Sequence, residues 1–150
     1  MRYSVRQERR AAVMLESAIV LGVMLLTVLG ALDLGLAVLR YNTLSEAARG
    51  LARHALVHGA QSPPELNAWG PASWAGAADE SSEIAQAVKP FLVAMEPSKV
   101  SVRVEWPDGS NEPDERVQVT LTYEHQPIIP VVFGSQPITL TAVSTMRVAH

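Results

Sequence analysis

The chain contains no cysteine, and that one absence removes a disulfide framework, a thiolate metal site and a cysteine nucleophile together. Aromatic residues are scarce at 5%, although 48% of the chain is hydrophobic. The apolar character is therefore aliphatic. No glycine-rich phosphate loop occurs, and no serine sits in a nucleophile elbow. His54 and His58 have a metal-like spacing on one helix face, but no acid completes a zincin pattern beside them, and histidines near a helix C-terminus are favoured by its dipole. The sequence thus gives no support to catalysis, a metal, a cofactor or a small-molecule substrate.

A length of 150 residues accommodates one small domain and an anchor, not two independent cores. The net charge of −3 is unevenly spread: Arg2, Arg6, Arg9 and Arg10 against Glu8 give residues 1–11 a charge of +3, which leaves −6 for the rest. An acidic main domain is a poor match for nucleic acid.

The missing aromatics are made up by aliphatics near the start. Ser17 to Leu32 is sixteen residues without a charge, apolar on every side of a helix, which is the pattern of a buried or membrane helix. Sixteen residues rise only about 24 Å against a hydrocarbon core of about 30 Å. A span must therefore continue to Leu39 and carry Asp33 near its outer end, so the reading is a basic leader at 1–11 and a transmembrane helix at 12–39. The arginines before the span predict a cytoplasmic N-terminus and an extracytoplasmic domain at 40–150. A cleaved secretory signal is the rival, because Gly35-Leu36-Ala37 supplies small residues for a cut before Val38; the length of the apolar run favours retention.

Beyond Arg40 the apolar positions narrow to a stripe, Tyr41, Leu44, Ala48, Leu51 and Ala55, and Glu46 with Arg49 forms an i,i+3 pair. The helix is expected to run from about Ala12 to His58, where Gly59, Pro63 and Pro64 follow. Residues 59–80 read as an irregular loop whose tryptophans, Trp69 and Trp74, fold back onto the domain rather than onto another molecule. A short helix follows, capped by Ser82, with Ile84, Val88 and Leu92 on one side and Pro90 at its end.

The periodicity then changes to two. Val100, Val102, Val104 and Trp106 form one strand and Val117, Val119, Leu121 and Tyr123 a second, joined through Pro107-Asp108-Gly109 as an antiparallel hairpin. Ile138, Leu140, Ala142 and Met146 form a third, interrupted at Ser144. A three-stranded sheet with one apolar face needs a cover, and the stripe from Tyr41 to Ala55 supplies it. The expected fold is α+β, a small head on a long helical stalk.

The segment Arg9-Arg10-Ala11-Ala12-Val13-Met14-Leu15-Glu16-Ser17 resembles the start of TadE-like proteins and, more broadly, the processing region of type IV prepilins. Asp33-Leu34-Gly35, the stretch from Asn42 to Arg53 and the ending from Pro137 to Arg147 resemble the same family. The resemblance implies a prepilin peptidase that cuts between Ala11 and Ala12, where the family usually has glycine before the cut. It also implies a role for Glu16, fifth in the mature helix, in pairing with the N-terminus of a neighbouring subunit. Asp33 is a second candidate membrane acid for assembly. Ala18 with Gly22, and Ala31 with Gly35, are small pairs at i,i+4 that permit close helix packing. The function so implied is that of a minor pseudopilin or membrane-anchored assembly factor of a Tad/Flp pilus in the bacterial inner membrane, with other pilus subunits as partners. The alternative is a signal-anchored binding module unrelated to pili.

Overall fold

A computed structural model of the protein describes residues 2–93, 95–130 and 134–149. Helix α1 (Arg2–Ala55) is followed by β1 (Trp74–Ala77), α2 (Glu83–Val88), β2 (Val100–Glu105), β3 (Arg116–His125) and β4 (Ile138–Arg147). Residues divide into two compact units, Met1–Leu36 with Pro127–Gln136, and Ala37–Gln126 with Pro137–His150.

In the second unit, the strands form one antiparallel sheet in the order β1-β2-β3-β4. The hairpin read from the sequence is present, with Val102 opposite Leu121 and Val104 opposite Val119. Alternation does what the pattern requires: Val100, Val102, Val104, Val117, Val119 and Leu121 are all buried, and their polar neighbours face outward. Leu44, Ala48, Leu51 and Ala55 of α1 are buried in the same core cluster, whereas Tyr41 stays largely exposed. Small residues let the helix come close. A Cβ on Gly50 would lie 2.7 Å from the Phe91 ring, so only glycine fits there without displacing that ring.

The sheet has four strands rather than the expected three. The extra strand, β1, lies inside the stretch read as irregular, and it consists of Trp74-Ala75-Gly76-Ala77 paired with Val104 to Ser101 of β2. Four residues, three of them alanine or glycine, carry no apolar-polar alternation and little β-propensity, so pairing is imposed by the neighbouring strand. Ser144, the expected weak point of β4, is itself buried on the inner face.

Local signals elsewhere are obeyed. The Ser82 side chain accepts the Ala85 N–H at 3.2 Å, capping α2, and Pro90 sits in the 3-10 turn that follows. Glu46 and Arg49 pair at 3.5 Å. Arg40 donates to Nδ1 of the buried His125 at 2.6 Å and lies 5.5 Å over the Tyr123 ring, tying the helix to the end of β3.

The β2–β3 connection is clasped by charge. Asp108 accepts from the Arg116 backbone N–H at 2.9 Å and from its guanidinium Nε at 3.0 Å. The Arg116 side chain first, and its backbone N–H second, hold the Asp108 carboxyl well below the usual carboxylate range. A depressed folded pKa contributes stability that is present above the unfolded value of about 3.9 and is lost as pH falls through the folded one. The acid limb of the stability curve should therefore flatten in Asp108→Asn, while the two proteins differ by a constant offset near neutrality. Acid titration followed by tryptophan emission measures this, and superimposable acid limbs would refute it.

Candidate functional site

The first unit holds the candidate processing, membrane-acid and helix-packing residues expected from the sequence. α1 is long and apolar enough to cross a membrane once. Between residues 10 and 36, Gly30 and Asp33 are buried, Gly22 and Leu36 are half-buried, and the other positions are exposed. An aliphatic surface this continuous has lipid as its natural solvent.

Asp33 is 2% exposed. One carboxyl oxygen accepts the backbone N–H of Ile128 at 2.9 Å and that of Ile129 at 3.4 Å. The acid in the span is thus engaged by the chain itself, through the connection between β3 and β4. Glu16 differs. It is exposed on a face with Val13, Ser17, Val20, Leu21 and Met24, and among the described residues it makes no hydrogen bond or ion pair.

Ala11 and Ala12 are exposed on α1, so the expected processing point lies on an accessible helix surface. Ala18 and Ala31 are exposed, and a Cβ on Gly22 or Gly35 would meet nothing within 4 Å. At about 100° per residue, the Ala31–Gly35 face points roughly opposite to Asp33. That side is open to a second helix.

Sequence reasoning missed Ile128 and Ile129. The available signal was compositional: Pro-Ile-Ile-Pro-Val-Val-Phe at 127–133 is apolar where a connection between strands is ordinarily polar. His54 and His58 are occupied in packing. The His54 ring meets Phe91 edge-on at 6.2 Å, and His58 stacks on Trp69 at 4.2 Å with its Nδ1 2.7 Å from the His54 carbonyl. Among the described residues, no three His, Cys, Asp or Glu side chains cluster as metal ligands would.

No curated protein and no solved structure matches the chain. The model of the TadE-like protein family matches residues 11–53, from the alanine before the expected cut to Arg53, bearing out the resemblance of the N-terminal residues.

Proposed function

We propose that the protein is a minor pseudopilin or membrane-anchored assembly factor of a Tad/Flp type pilus. It is inserted in the inner membrane with its N-terminus cytoplasmic, and it acts by helix–helix and head-domain interactions rather than by catalysis. A prepilin peptidase cuts between Ala11 and Ala12, and Glu16 then pairs with the new α-amino group of a neighbouring subunit. The contrast between the two acids of α1 carries this reading. Asp33 has acceptor bonds within the chain, whereas Glu16 stands on an aliphatic face with none among the described residues. A carboxylate in such surroundings gains most from an ammonium brought by another molecule.

Glu16→Ala should insert in the membrane at wild-type levels yet lose co-isolation with the other pilus components. Co-isolation equal to wild type would remove the assembly role. Sequencing the N-terminus of protein from native membranes gives an independent reading: Ala12 is expected, Met1 would leave an unprocessed anchor, and Val38 would mean secretion.

A further inference from the structure

The connection between β3 and β4 is apolar, and its backbone is provided for in an unusual way. Pro127 and Pro130 have no N–H to satisfy. The two residues between them, Ile128 and Ile129, give theirs to Asp33. Residues 127–130 therefore present no unpaired backbone donor. Having no donor left for water to satisfy removes one of the costs of bringing irregular chain to the edge of a membrane.

The same residues belong to one compact unit with the first part of α1. Ile128 is 65% exposed, although it is bonded to a residue that lies inside the span. Asp33 is six residues before Leu39, about 9 Å along the helix axis, so a side chain exposed at its level faces the boundary of the hydrocarbon.

We propose that Pro127–Pro130 is a second membrane-contacting element, with Ile128 in the lipid of the leaflet that holds the Asp33 end of the span, and with Asp33 as its positioning residue. The occupant of the exposed Ile128 surface is lipid. Around Asp33 the large exposed side chains of α1 are Leu29, Leu32 and Leu34, and Asp33 itself is covered. The loop fixes how deep that end of the span sits and leaves the opposite Ala31–Gly35 face free for helix packing. This rests on the membrane anchor and not on the pilus role.

The absence of native cysteine makes the test direct. Ile128→Cys, Leu25→Cys and Ser81→Cys, each in the full chain, are labelled with an environment-sensitive fluorophore and reconstituted in vesicles of phosphatidylethanolamine and phosphatidylglycerol. Quenching by nitroxide on the lipid acyl chain is compared with quenching by aqueous iodide. The label at Ile128 should behave as the one at Leu25, quenched from lipid and shielded from iodide, while the label at Ser81 does the reverse.

Adding Asp33→Ala should move the Ile128 label toward water. Loss of acceptor bonds worth about 1.4 kcal/mol shifts the docked-to-undocked equilibrium constant roughly tenfold. Asp33→Asn keeps a carbonyl acceptor and should retain lipid quenching. An Ile128 label quenched like Ser81, or one shielded from both quenchers as in a protein contact, overturns the proposal. Failure of Leu25 to be quenched from lipid would overturn the anchor and this inference together, leaving the pilus partners to be judged by co-isolation.

Discussion

Leu51→Ala is expected to lower the unfolding free energy of the second unit by about 3 to 5 kcal/mol. The size of the effect follows from what surrounds the side chain. On the stretch of α1 from residue 44 to 55 the buried positions are Leu44, Ala47, Ala48, Gly50, Leu51, Ala52 and Ala55, so two leucines supply all the bulk that the helix brings to the sheet. The alanines and glycine already allow the backbone to sit as close as the strands permit. A cavity at Leu51 cannot collapse further, and the full loss of contacts is felt. Denaturant unfolding of the full chain in detergent, followed by emission from Trp69, Trp74 and Trp106, measures it. Arg53→Ala, on the exposed side of the same turn, should change stability by no more than about 0.5 kcal/mol. Equal effects for the two would mean that this part of α1 does not cover the sheet.

That prediction could have been made from the sequence, because the period that places Leu44, Ala48, Leu51 and Ala55 together is local. So are the Ser82 cap, the alternation of β2 and β3, and the Glu46–Arg49 pair. What the sequence hid depends on residues far apart. β1 has no pattern of its own and becomes a strand only when β2 offers an edge. The partners of Asp33 are about a hundred positions away, at Ile128 and Ile129. A lone acid in an apolar run can be read as an interfacial residue or as a helix contact, and nothing nearby in sequence announces a backbone amide as its partner.

The two acids of α1 differ in what the chain itself provides for them. Both occur in a segment where an uncompensated charge is unfavourable by a few kcal/mol. Asp33 is compensated from within, so its substitution should disturb the loop beside it first. Glu16 has no such compensation among the described residues, so its substitution should be silent until another subunit is present. The family match spans both positions, and the hydrogen bonds distinguish their surroundings within the chain.

Trp69→Ala is expected to destabilise the second unit about as much as the core leucine does, by roughly 3 to 5 kcal/mol, although Trp69 lies in a loop. It is 6% exposed, and its ring stacks on His58 in the turn that follows α1. Its Nε1 donates to Glu83 at 3.3 Å, its carbonyl accepts from the buried Asn111 side chain at 2.9 Å, and its N–H donates to the His58 carbonyl at 2.6 Å. One residue thus joins the turn after α1, the start of α2 and the β2–β3 connection. Gly70 beside it is held at φ +86° with Trp106 packed so near that a Cβ would fall 2.5 Å from that ring, so the loop has little freedom to refill the space. Removing the ring deletes the stack and the Glu83 bond but leaves the two backbone bonds in place. Trp69→Phe keeps most of the ring without its N–H and should lose about 1 kcal/mol through the missing hydrogen bond, plus the packing difference. Denaturant midpoints for the three proteins, with proteolysis of residues 59–80 under native conditions, separate the possibilities. If Trp69→Ala unfolds at the wild-type midpoint but no longer associates with pilus components, the tryptophan belongs to an intermolecular surface and the packing account of this loop is wrong.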